Sequence, residues 1–261
     1  MNLKKEIALF SISNKLRIMD RMEDAVAFIF ISIGLLIRVA VTVIFFQAIY
    51  LQVNVIGGWN FDQVVVLMGT FFLIEGIGWA TYIRGLNRLP HLIESGDLDS
   101  LIIKPINLRT FFIYKNIDLV FNTVQLVAGI GMILYVVFKN NMFLELPYFL
   151  FFILCGLIIH YSFTFILATI NFFYLIPQST YLQSEVFELG RFPITIYKGL
   201  AKLALSIIIP IAFIFSVPVE IMFGGLSLQI LLSTLGITTL FYLISKYFWR
   251  AGLRRYESAN G

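Results

Sequence analysis

Long apolar runs limit the fold of this chain more than any other feature of its sequence. The run AVAFIFISIGLLIRVAVTVIFFQAIYL, at 25–51, is long enough to cross a bilayer as a helix, which takes about 20 apolar residues. Five further runs of similar character follow it. The sequence therefore predicts an all-α integral membrane protein with six transmembrane helices, at 25–51, 64–83, 113–138, 147–175, 200–217 and 226–247.

The composition agrees with a single membrane domain over 1–261. Only 13% of the residues are charged, against about 25% in a typical soluble domain. We expect an interfacial segment at 1–24, the six-helix domain at 25–249 and a short tail at 250–261. The chain starts without a compact apolar stretch and small-residue cleavage site, so no secretory signal peptide is expected.

The positions of the Lys and Arg residues predict the orientation. With the N-terminus in the cytoplasm, 17 of the 19 fall on the inner side, whereas Lys139 lies outside and Arg38 lies within the first span. Cytoplasmic segments of helical membrane proteins carry such an excess, so both termini are predicted to be cytoplasmic. This distribution also explains the net charge of +4 without nucleic acid as a partner. The inner set comprises Lys4, Lys5, Lys15, Arg17, Arg21, Arg84, Arg88, Lys104, Arg109, Lys115, Arg191, Lys198, Lys202, Lys246, Arg250, Arg254 and Arg255.

The inner connection at 84–112 contains the polar stretch HLIESGDLDSLIIKPIN, at 91–107. Asn87 is a good N-cap, Gly96 suits a left-handed helix end, and Pro105 stops a helix. The connection therefore predicts two short amphipathic helices. Leu89, Leu92 and Ile93 share one face of the first helix, Asp97 or Asp99 can cap the second, and Asn107 can cap the third span.

Two roles are open for these short helices from the residues alone. They fit an interfacial element that lies among lipid headgroups. They also fit a docking element, since Asp97, Asp99 and Lys104 form a polar edge suited to a groove on a cytoplasmic partner.

Two motifs resemble those of ABC-2 type permeases, in the branch called ABC-2 membrane family 6. The stretch LIESGDLDSLIIKPIN is similar to that family's inner-loop motif. The stretch at 190–224 is similar to the run that leads into and through its fifth span. A weaker similarity covers the Gly-Trp turn after the first span. The matching residues are Ile93, Ser95, Gly96, Asp97, Leu98, Asp99, Leu101, Lys104, Pro105, Asn107, Pro193, Tyr197, Pro210, Phe213 and Pro218.

The resemblance implies the type V transmembrane domain of an ABC-2 type exporter in a bacterial plasma membrane. Two permease copies, identical or homologous, would form the pathway within the lipid, and two ABC ATPase subunits would grip the inner loops. The residues that would couple to the ATPase are Arg88, Leu92, Ile93, Glu94, Gly96, Asp97, Asp99, Lys104 and Pro105. The sequence has no Gly-Lys pair of a P-loop. We therefore expect no catalytic residue, metal or cofactor on this chain, and ATP with Mg²⁺ on the partner.

Three ionisable residues fall inside the predicted spans. Arg38 and Glu75 lie at similar depths, which predicts an ion pair that either latches the first two helices or lines the substrate path. His160 is predicted to be a hydrogen-bonded packing residue. Asp118 is predicted to be a solvated helix end, or to pair with Lys115.

Two further segments were open to more than one interpretation. The stretch at 177–191 is predicted to be an inner-face helix, either interfacial or in contact with the ATPase. The stretch VPVEIMFGGLS is predicted to dip into the outer leaflet.

Two other classes of protein compete with a permease subunit. A self-contained secondary carrier with six helices would be expected to show internal repeats, and none is visible between the two halves. An intramembrane enzyme acting on lipids would need clustered acids or a His and Asp set, and Asp97 with Asp99 is the nearest match.

Overall fold

The computed structural model of the protein describes residues 25–114, 117–118, 122–176 and 179–256. Five helices in these ranges are long and apolar enough to cross a membrane, namely α1, α2, α7, α8 and α12. In chain order the helices are α1 (Ala25–Tyr50), α2 (Phe61–Thr81), α3 (Ile83–Leu86), α4 (Leu89–Glu94), α5 (Asp97–Ile102), α6 (Leu108–Tyr114), α7 (Thr123–Asn140), α8 (Leu146–Thr169), α9 (Ser179–Phe187), α10 (Gly199–Leu203), α11 (Val217–Gly224) and α12 (Leu228–Arg255).

A tight turn at 51–60 folds α2 back against α1. Reciprocal backbone hydrogen bonds of 3.0 Å join Ile56 to Trp59, and the Tyr50 hydroxyl donates to the Trp59 carbonyl at 2.7 Å. Asn60 then starts α2 with a capping box that it shares with Gln63. We call this end of the bundle the turn face. We call the opposite end, where α3 to α6 lie, the platform face.

α2 is the centre of the bundle and packs most closely against α7. The two backbones meet at Gly69 and Gly129, where a Cβ on either residue would come within 2.9 Å of the other's carbonyl oxygen. Small residues allow membrane helices to approach in this way. At the turn face, Lys139 donates to Asp62 at 2.7 Å, which confirms that the two helices are antiparallel.

α8 and α12 run side by side in the same direction. Near the platform face the ring of Trp249 lies 5.2 Å from that of Phe172. Near the turn face Ile230 packs with Phe152. Both helices therefore run from the turn face to the platform face, so the chain between them must return to the turn face once.

The return crossing is made by the segment at 179–197. α9 first packs along α8. Phe192 then reaches Phe46 near the end of α1, with the ring centroids 5.4 Å apart. Ile196 finally lies against Gly57 in the turn of the turn face. The prediction of an inner-face helix at 177–191 is thus wrong for its described part.

The predicted fifth span, at 200–217, is a re-entrant hairpin. Its two arms are Gly199–Ile208 and Ala212–Gly224, and the helix axis bends by 71° between them, beside Pro210. The first arm begins three residues after Ile196 and the second ends just before α12, so both ends lie at the turn face. Pro210 lacks a backbone N–H and interrupts the helical ladder there, and a π-helical turn flanks the bend on each side. The expected dip of VPVEIMFGGLS is part of this larger hairpin.

The third span also differs from its prediction at 113–138. Its helix, α7, begins only at Thr123, and α6 is a separate short helix at the platform face. Asp118 lies between them and is buried, with its backbone N–H bonded to the Ala80 carbonyl at 2.8 Å. The predicted solvated position of Asp118 is wrong. Lys115, the segment at 1–24 and the last residues of the tail lie outside the described residues.

The path of the chain differs from the predicted one and changes which Lys and Arg residues lie at each face, but most of the described ones still lie at the platform face. Arg191 lies within the crossing segment, and Lys198 and Lys202 move to the turn face. Among the described residues, eight Lys and Arg residues lie at the platform face and three lie at the turn face. The eight are Arg84, Arg88, Lys104, Arg109, Lys246, Arg250, Arg254 and Arg255, and the three are Lys139, Lys198 and Lys202.

Candidate functional site

The two predicted short helices of the inner connection exist as α4 and α5, and they form a platform fixed to the bundle. Leu89, Leu98 and Leu101 are buried in one apolar cluster with Phe172 and Trp249 of the long helices. Burial of a large apolar side chain contributes about 1.5–3 kcal/mol. The platform is therefore packed on α8 and α12 as part of the core.

Gly96 joins α4 to α5 in the left-handed conformation that the sequence predicts, with φ of +74°. The Asp97 carboxylate accepts a hydrogen bond of 2.9 Å from the Ser95 hydroxyl, which closes the turn on its solvent side. Asn107 caps α6, since its side chain accepts from the Arg109 backbone N–H at 3.1 Å. It does not cap the third span as predicted, because that span starts later. Asn87 does not cap α4 either, since Arg88 occupies that position.

The outer edge of the platform is polar and open. Arg88, Glu94, Asp97, Lys104 and Pro105 are exposed. Leu92 and Ile93 are half-buried against the cluster beneath. Asp99 is half-buried and lies beside Tyr256, and burial together with this carboxylate raises the pKa of Tyr256. The nine predicted coupling residues thus lie in or along one surface of the platform face.

A cleft of ≈ 770 Å³ separates α4 from the ends of α8 and α12. Ile93 lines one side, Phe172 lies at its base, and Arg254 and Arg255 line the other side. It forms an open groove beside the platform.

Within the bundle, Glu75 bonds His160 rather than Arg38. The Glu75 carboxylate lies 3.0 Å from Nε2 of His160, and Nδ1 of the same ring lies 2.7 Å from the Tyr82 hydroxyl. All three side chains are buried. The prediction that His160 is a hydrogen-bonded packing residue is confirmed.

Arg38 pairs with Glu188, which follows α9, and Glu188 also pairs with Arg191. The predicted Arg38–Glu75 ion pair is therefore wrong. Depth along the predicted spans could not indicate the real partner, because the stretch at 177–191 was predicted to be an inner-face helix. The spacing of Glu185, Glu188 and Arg191, three residues apart on one helical face, is the signal that would have found this cluster.

A second ion pair ties the platform face to the spans. Arg84 of α3 donates to Asp118 at 2.7 Å, and the Asp118 side chain is 1% exposed. Buried carboxylates need such a partner. Through this bond, the start of the platform is linked to the chain that enters α7. Within the described ranges, no three His, Cys, Asp or Glu side chains are grouped as a metal ion would require.

Five spanning helices, the crossing segment at 179–197 and a re-entrant hairpin define a polytopic α-helical membrane protein, with a packed platform at its basic end. A family model described as an ABC-2 family transporter protein matches residues 36–260, and the chain belongs to this family. The match confirms the family that the motif around Gly96 predicts. No curated protein and no solved structure matches the chain.

Proposed function

We propose that this chain is the membrane-spanning permease subunit of an ATP-driven exporter in a bacterial plasma membrane. Its membership of the ABC-2 family supports this role. In the proposal, separate ABC ATPase subunits bind ATP and Mg²⁺ and hydrolyse the nucleotide. This chain contributes the pathway and the surface that receives the motion.

The observation that carries the proposal is the construction of the platform. Its apolar side is buried with Trp249 and Phe172, whereas its polar side at Glu94, Asp97 and Lys104 is open. A push on the open side is transmitted to α8 and α12, because close-packed interiors have low compressibility and transmit strain. A flexible loop without this packing would not transmit the same force to the spanning helices.

The pathway is proposed to form between two permease copies, along the surface that contains Arg38 and Glu188. These side chains are 34% and 31% exposed, and Arg38 lies halfway along α1. Charged groups at this depth face a protein interior or a water-filled cavity rather than lipid. A second copy, of the same or a homologous permease, would shield this surface and leave polar groups along a central path.

Cysteine crosslinking tests the docking role of the platform. Asp97→Cys and Ser100→Cys would be introduced at exposed positions, and the buried native thiol removed by Cys155→Ala. A short bifunctional maleimide in membranes that contain the candidate ATPase should join these variants to the ATPase. ATP-dependent export should also fall when Gly96→Val disturbs the left-handed turn.

The matched control is Lys139→Cys, which is exposed at the turn face. It should give no product with the ATPase. If the platform variants also give none, and Gly96→Val exports at the wild-type rate, the coupling role is wrong.

A further inference from the structure

A second, smaller cleft opens at the platform face between α5, α6 and the last turns of α12. Its volume is ≈ 380 Å³. Ile106, Trp249 and Leu253 are among the apolar residues that line it, and Arg109, Lys246 and Arg250 are its basic residues. The site therefore combines an apolar lining with three cationic groups.

The three cations have no carboxylate partner among the described residues, since none lies within ion-pair distance of Arg109, Lys246 or Arg250 there. Arg109 is held in place by a 2.8 Å hydrogen bond to the Ser245 hydroxyl and by the Phe165 ring, 4.5 Å from its guanidinium carbon. A guanidinium has five N–H donors, so others remain for an anion.

The cleft lies beside the last three turns of α12, at the platform-face end of that helix. Lys246 and Arg250 are four residues apart on α12, a rise of about 6 Å. About one turn before Lys246, away from the platform face, Tyr242 and Leu243 are exposed on the same helix. A molecule held by the cations would thus have an apolar surface beside it for its tails.

We propose that this cleft binds the phosphate headgroup of an anionic phospholipid. Lys246 and Arg250 would contact the phosphate, Arg109 would add further donors from a fixed position, and the acyl chains would lie along Tyr242 and Leu243. Basic pockets between spanning helices on the cytoplasmic side suit such headgroups. The assignment concerns a face of α12 apart from the polar edge of α4 and α5, and it does not rest on the transport function.

The experiment uses the full chain, purified in a neutral detergent and titrated with dioleoylphosphatidylglycerol or dioleoylphosphatidylcholine. The apparent melting temperature is recorded at each lipid concentration. Phosphatidylglycerol should raise it in a saturable manner, and phosphatidylcholine should not. Because a basic residue near an anionic surface contributes about 1 kcal/mol, the double variant Lys246→Gln with Arg250→Gln should bind phosphatidylglycerol about thirtyfold more weakly.

Two controls separate charge from structural damage. Lys198→Gln with Lys202→Gln makes the same change in net charge at the turn face and should keep the wild-type response. Lys246→Arg with Arg250→Lys keeps both charges in the cleft and should also keep the wild-type response to phosphatidylglycerol.

Three results would each overturn the proposal. The first is an equal response to the two lipids, and the second is an unchanged affinity in the Gln double variant. The third is an equal shift from glycerol 3-phosphate alone, which would make the cleft a site for free phosphate instead of lipid.

Discussion

The Glu75 carboxylate and Nε2 of His160 lie 3.0 Å apart and join α2 to α8 where neither side chain meets solvent. Nδ1 of the same imidazole lies 2.7 Å from the Tyr82 hydroxyl. The three side chains form one continuous chain of hydrogen bonds in the core.

Tyr82→Phe should destabilise the protein, because it leaves Nδ1 of His160 buried without its hydrogen-bond partner. A lost buried partner of this kind costs about 1–3 kcal/mol. The free energy of unfolding in detergent measures the effect. Tyr135→Phe removes a hydroxyl from an exposed ring and should change that free energy by less than about 0.5 kcal/mol. Equal losses in the two variants would contradict the network.

A double-mutant cycle should find Arg38 coupled to Glu188. Neutralising Arg38→Gln and Glu188→Gln, singly and together, should give an interaction energy of about 0.5–3 kcal/mol in unfolding. The comparison cycle pairs Arg38→Gln with Glu75→Gln and should give a smaller energy, because Glu75 is bonded to His160. A larger interaction energy for Arg38 with Glu75 than for Arg38 with Glu188 would instead support the ion pair predicted from the depths of Arg38 and Glu75 in their spans.

Gly129→Ala should destabilise the contact between α2 and α7. Its Cβ would lie 2.8 Å from both the Gly69 carbonyl oxygen and the Leu73 nitrogen, which are backbone atoms unable to rotate away. Overpacking of this kind typically costs about 1–3 kcal/mol. Thermal unfolding in detergent measures it.

Gly131→Ala is the matched control on the same helix, since its Cβ would meet nothing within 4 Å. It should be neutral or stabilising by up to about 1 kcal/mol, since alanine favours a helix. A Gly129→Ala variant as stable as Gly131→Ala would mean that the two backbones are not in close contact.

Labelling of single cysteines should place Lys202 on the same side of the membrane as Lys139. In a Cys155→Ala background, Lys202→Cys and Lys139→Cys should react with a membrane-impermeant maleimide from one side, and Lys104→Cys from the other. All three positions are exposed. Hydropathy alone groups Lys202 with Lys104, so labelling of those two from one side would support a fifth span at 200–217 and contradict the re-entrant hairpin.

The platform was the most predictable part of the candidate site, because its signals are local. Gly96 ends one helix by its own backbone preference, and the predicted apolar face of Leu89, Leu92 and Ile93 is the one that packs against the core. The partners of Arg38 and Asp118 were not predictable in this way. Each is more than 30 residues away in sequence, and the packing of separate elements selects it.

The sequence by itself determined that the chain is a membrane protein, where five of its spans lie and which family it belongs to. Apolar content decides whether a helix exposed to lipid is stable, and it can be read residue by residue. Only the tertiary structure decided the path at 179–224. The crossing can be as polar as the stretch with Gln183 and Glu188, because Gln183 is buried and Glu188 is paired with Arg38 and Arg191. The re-entrant hairpin does not cross the membrane, yet it can be as apolar as a spanning helix.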